Sequence, residues 1–175
     1  MTKLNRRHLI ASGLAGIAAP GMGWSATARE ITWEDLIPPG VPYAEIIGEG
    51  EMNEVTDTWR PIFDSNATKL NAALHGAYVR LPGFILPLEL GAEGVTEFVL
   101  VPYVGACIHS PPPPPNQMVF VELRKEYEVQ SLYDPVWITG QIRVEQASRS
   151  LTFVDGTNSV ATGYALSGVS IEPYE

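Results

Sequence analysis

From His75 onward the chain breaks into short runs in which apolar residues alternate with others, each run closed by glycine or proline. Ala77-Tyr78-Val79-Arg80-Leu81 is the first, and Phe84 to Leu88 follows it after Pro82-Gly83. Glu97 to Val104, Met118 to Leu123, Val136 to Val144 and Ser159 to Ile171 continue the series. Alternation with period two places every second side chain on one face, as a half-buried strand requires. Strands at this density, separated by turn residues, restrict the chain to a small β-barrel or a β-sandwich. Pro102 falls within the third run, which predicts an edge or a bulge there, because proline cannot donate to a ladder. Gly140 predicts a bulge or sharp bend in VWITGQIRV.

The order of these runs narrows the choice. A strand with a Gly-Pro bend, a hairpin, a proline-rich crossover, VWITGQI and a closing strand is the order of an oligonucleotide/oligosaccharide-binding (OB) barrel, five strands in a Greek key. A β-sandwich is the alternative. The expected organisation is a leader over residues 1–28, an irregular N-terminal arm over 29–62 and an OB-like barrel domain over 63–175. In the arm, Thr32 is expected to cap one helical turn, Trp33 to Leu36, which Pro38 and Pro39 then stop. Trp33, Leu36 and Trp59 are its expected anchors. Ser65 to Leu74 reads as a short helix or turn leading into the first strand.

The first 28 residues carry an export pattern. Lys3, Arg6 and Arg7 precede an apolar run from Leu9 through Ala19, and Ala26-Thr27-Ala28 supplies small residues for cleavage after Ala28. The run is shorter than the roughly 20 residues that a membrane span needs. Arg6-Arg7 is similar to a twin-arginine (Tat) signal, whose route admits folded cargo; a Sec route stays open. The expectation is a soluble periplasmic, or otherwise exported, product without a membrane span after cleavage. That product has eight basic residues against twenty acidic ones, a net charge of −12 in place of −9 for the whole chain. Such a surface repels nucleic-acid phosphates.

The chain's one cysteine sits in CIHSPPPPPNQ, residues 107–117. A single thiol in an oxidising compartment forms no internal disulfide, so Cys107 is buried, metal-bound, paired with another molecule or reactive. If Cys107 and His109 share a strand, their side chains point to one face, with Cα atoms ~6.5 Å apart. Thiolate and imidazole together suit zinc or copper. Glu89 is the first choice for a third ligand, with Glu97 and His75 behind it. For a thiol-dependent enzyme, His109 would act as base, and Asn116 is the partner that could orient it. The bland reading is a buried thiol beside a satisfied histidine. The prolines Pro111, Pro112, Pro113, Pro114 and Pro115 favour a stiff polyproline II segment. With Asn116 they make either a docking arm for a partner or a rigid crossover against Trp33, Tyr103 or Trp137.

Three stretches carry a resemblance: Trp33-Glu34-Asp35-Leu36-Ile37-Pro38, residues 79–89 (VRLPGFILPLE) and residues 98–117 (FVLVPYVGACIHSPPPPPNQ). Together they resemble the bacterial DUF3299 family over nearly all of the chain beyond the leader. The resemblance implies an exported protein of unknown function. Some members lie beside transport systems for metal supply, which points to zinc or copper and to an envelope transport complex as partner. The functions left open are a non-enzymatic accessory protein that holds or relays a transition metal, an interaction module using the proline arm, and, last, a thiol-dependent enzyme.

Overall fold

The computed structural model describes residues 27–53, 58–88, 94–104, 112–130, 133–153 and 156–174. Residues 1–26, where a leader is expected, and the Cys107–His109 stretch therefore lie outside the described residues. Five strands close a barrel: β4 (Tyr78–Pro87), β5 (Gly94–Val101), β6 (Val119–Glu128), β7 (Pro135–Phe153) and β8 (Gly156–Pro173). Their order is β4-β5-β6-β8-β7, and β7 returns to pair with β4. All contacts are antiparallel except β6 with β8, where Val119, Phe120 and Val121 face Tyr164, Ala165 and Leu166 in parallel register. This is the OB arrangement expected from the strand order.

Alternation explains what fills the barrel. Val79, Leu81 and Ile85 of β4 point inward, as do Phe98 and Leu100 of β5, Val121 of β6, Ile138 and Ile142 of β7, and Leu166 of β8, all fully buried. Each such side chain contributes roughly 1.5–3 kcal/mol by leaving water. The two runs expected on either side of Pro82-Gly83 are one strand. Gly83 faces inward, where a Cβ would come within 2.7 Å of Leu100 Cγ and 2.9 Å of Trp33 Cζ2, so glycine is needed for space and no turn forms. Pro102 does not interrupt its strand: β5 ends at Val101, and the bulge of that ladder falls between Val95 and Glu97. The bulge expected at Gly140 is present, between Thr139 and Gln141.

The arm before the barrel is largely without regular structure, with two exceptions. β1 (Arg29–Glu30) lies parallel to β4, pairing Arg29 with Val79. β2 (Glu51–Asn53) and β3 (Thr58–Arg60) form a separate two-stranded ladder. A 3-10 turn covers Glu34–Leu36. Thr32 does not cap it through its side chain. Instead the Asp35 carboxylate reaches back and accepts from Thr32 N–H (2.8 Å) and Thr32 Oγ (3.1 Å), because an acid three residues on satisfies the free donor from the other side. Trp33 anchors the arm by donating Nε1–H to the Pro82 carbonyl (2.8 Å), and Leu36 is buried. Trp59 is no anchor: it is exposed, and its Nε1–H donates to the Glu49 carbonyl within the arm (2.8 Å).

Residues 65–74 form two 3-10 turns, Ser65–Thr68 and Ala72–Leu74. The Asp64 and Asn71 side chains cap them by accepting from Asn66 N–H and Ala73 N–H. Tyr164 joins these turns to the barrel. Its buried hydroxyl accepts from Asn71 N–H and donates to the Leu36 carbonyl. Burial pushes the phenol up to about 12, with the Asn71 bond opposing.

Candidate functional site

The distal halves of β7 and β8 reach beyond the barrel. After the register shift between Val144 and Ala147, they continue as a paired hairpin to Phe153 and Gly156. Ala147, Arg149 and Leu151 alternate to one face, and Val160 is opposite Arg149. That face lies on the outside of β4, β5 and β6. Leu151 and Val160 pack with Leu86, Val99, Val101 and Met118 into a second core, separate from the barrel interior. Thr152 N–H donates to the Leu88 carbonyl (2.7 Å), stitching the hairpin to the end of β4. The Arg149 guanidinium lies 3.9 Å from the centre of the Phe120 ring and donates to Glu145 Oε1 (2.9 Å). The outer face of the second and third barrel strands, with which OB barrels grip ligands, is here the floor of a core.

Two polar clefts border these elements. One, of about 550 Å³, separates the start of β5 from the edge of distal β7, with Thr96, Glu97, Ser148, Arg149 and Ser150 on its walls. The other, of about 540 Å³, lies among Tyr78, Glu122, Arg124, Gln141 and Ser167.

Cys107, His109, Glu89 and Pro111 fall outside the described residues. Their flanks are placed. The segment holding Glu89 leaves β4 at Leu88 and returns at Gly94, at the start of β5; the segment holding Cys107 and His109 begins beyond Val101, at its end. The other two ligand choices are among the described residues. His75 follows the Ala72–Leu74 turn, and its Nδ1 accepts from Val144 N–H (3.3 Å). Glu97 is exposed on β5, opposite Glu122 and beside the distal part of β7. Among the described residues, no three of His, Cys, Asp and Glu come together to hold an ion.

The end of the proline run is packed inward. Pro113 and Pro114 are buried, and Pro115–Gln117 is a 3-10 turn. Asn116 is fully buried; its Nδ2 donates to the carbonyls of Asn66 (2.9 Å) and Lys69 (3.2 Å). Gln117 Nε2 donates to the Trp33 carbonyl (3.0 Å). Gly163 of β8 lets the turn approach: a Cβ there would stand 2.9 Å from the Pro115 carbonyl oxygen. This turn ties arm, 3-10 turns and barrel together. Trp137, one aromatic expected beneath it, is engaged elsewhere, stacked on Tyr174 at 5.4 Å and covered by Arg80.

Sequence reading missed the covering hairpin. Its signal was the alternation of Ala147, Arg149 and Leu151 with Ser148, Ser150 and Thr152.

A search of curated proteins finds no match. Among solved structures, the chain is similar to a DUF3299 family protein from Pseudomonas aeruginosa PAO1, with 36% identity and a TM-score of 0.57. That likeness covers 85% of this chain and 99% of the other. The model of DUF3299, a family described as proteins of unknown function, matches residues 33–173, which include the arm from Trp33 onward, the proline turn and all five barrel strands. The chain belongs to the DUF3299 family.

Proposed function

We propose that the chain is an exported, non-catalytic accessory protein that holds another protein, within an envelope transport complex. The observation that best supports this is the covered barrel face. An OB barrel offers its ligands the outer face of its second and third strands; here Leu151 and Val160 fill that place from within the chain. Recognition is left to surfaces outside the barrel groove. The acidic charge adds to the case, since phosphate backbones are repelled. Export rests on Lys3, Arg6, Arg7 and the apolar run behind them.

Zinc or copper held by Cys107, His109 and Glu89 would make a metal relay instead. Native mass spectrometry of the protein recovered from the periplasm without chelator separates the two. The accessory reading expects a chain beginning at Arg29, no bound metal, and a stoichiometric protein complex after mild cross-linking. One zinc or copper per chain, lost in Cys107→Ala, would replace this reading with the relay.

A further inference from the structure

We infer that residues 43–53 and 58–64 form a docking element whose occupant is a protein presenting an apolar groove rimmed by lysine or arginine; this rests on the protein-holding reading above. Tyr43, Ile46, Ile47, Met52, Trp59 and Ile62 are all exposed, Met52 at 59%. Among the described residues, β2 and β3 pair with each other and join no barrel strand. Met52 and Trp59 are direct cross-strand partners, so they share a face. A two-stranded ladder standing alone is marginal in water. This one is held in shape by its own bonds: Ile47 N–H to the Ile62 carbonyl (2.7 Å), Asp64 N–H to the Glu45 carbonyl (2.9 Å), and Trp59 on Glu49. Gly50, at φ +75°, lets the Trp59 ring lie where a side chain would collide.

A concentration of large apolar side chains in water marks an interaction surface. The charge around it selects the occupant. The described residues of this element hold four acidic side chains, Glu45, Glu49, Glu51 and Asp64, against one basic, Arg60. An anionic membrane surface would be repelled. A second copy would bring two acidic rims together. A groove with an apolar floor and a basic rim matches both features, the usual division of an interface into core and rim.

The probe is a short dye-labelled peptide alternating leucine and lysine, followed by anisotropy with the full mature protein. We expect saturable binding that weakens about tenfold in Met52→Asp, although that change adds negative charge. Glu45→Gln, Glu49→Gln and Glu51→Gln together should weaken it about tenfold as well, and so should raising salt from about 50 to about 500 mM. Ile47→Asp serves as a second apolar variant should Met52→Asp lose the fold. Equal binding by wild type and variants would overturn the proposal. So would a doubled mass in light scattering that Met52→Asp abolishes, or flotation with phosphatidylcholine vesicles. Photo-cross-linkers in cells at Ile47 and Met52, against Tyr78 and Tyr174, separate the two levels. Protein adducts from the latter pair alone sink the docking element and leave the protein-holding function standing; adducts from none of the four sink both.

Discussion

Gly83 and Tyr164 show how single residues fix the barrel. Gly83 occupies an inward position where Leu100, Trp33 and the Val101 carbonyl crowd any added carbon. Gly83→Ala should therefore lower the unfolding free energy by roughly 1–3 kcal/mol, the usual cost of overpacking, in urea denaturation. Gly168, at φ +65° with open space around it, tests the other mechanism. Gly168→Ala should cost about 1 kcal/mol through backbone conformation alone. Tyr164 makes a pH prediction. Its folded phenol is raised to about 12 from the ordinary 10, so between these values the folded chain holds a proton that the unfolded chain has released. Stability from this group is complete below pH 10 and is lost as pH rises through 12. The shift is worth on the order of 3 kcal/mol. Tyr164→Phe should be less stable at neutral pH by roughly 1–3 kcal/mol, since Asn71 N–H and the Leu36 carbonyl lose their partner. The gap between wild type and variant should narrow from pH 10 to 12. A gap that stays constant over that range would contradict the assignment.

At the scale of elements, the long β7–β8 hairpin separates this barrel from a bare OB fold. Its tip region is held by Leu151 and Val160 on the outer faces of β4 and β5 and by Arg149 on Phe120. Leu151→Ala should cost about 2–5 kcal/mol, because the site is sealed and a cavity would remain. It should also raise binding of an apolar dye, as the floor formed by Val99 and Val101 becomes wet. The barrel strands were legible in the sequence because their alternation is strict. Val79, Leu81, Phe98, Leu100 and Ile138 all declare an inward face. The hairpin extension was not legible. Residues 145–152 read EQASRSLT, and the reason Arg149 and Leu151 share a covered face is a surface some fifty residues earlier in the chain. The same cause explains Trp59, whose size suggested an anchor while its contacts stay inside the arm. For Cys107, His109 and Glu89 the sequence supplies residue types and spacing, and all three lie outside the described residues.

The whole molecule is a barrel fastened at two places by its own chain. The arm runs along β4, through Arg29–Glu30 and the Trp33–Pro82 bond, and the Pro115–Gln117 turn locks it by the Gln117 bond to Trp33. On another side, the distal hairpin covers the face that an OB barrel would present to a ligand. Among the described residues no helix is long and apolar enough to cross a membrane. Two polar clefts are lined by Glu97 and Arg149 and by Tyr78 and Arg124, and exposed large apolar side chains gather in and beside the β2–β3 ladder, at Tyr43, Ile46, Ile47, Met52, Trp59 and Ile62. Whether the hairpin stays closed in solution decides between a covered barrel face and an open one. Hydrogen–deuterium exchange of the free mature protein measures this directly. Slow exchange at residues 147–152 and 159–162, matching that of residues 98–101 beneath them, is the predicted result. Exchange of the hairpin at the rate of an unprotected loop, with residues 98–101 exchanging quickly on their outer edge, would contradict it and return the barrel's outer face to ligand binding.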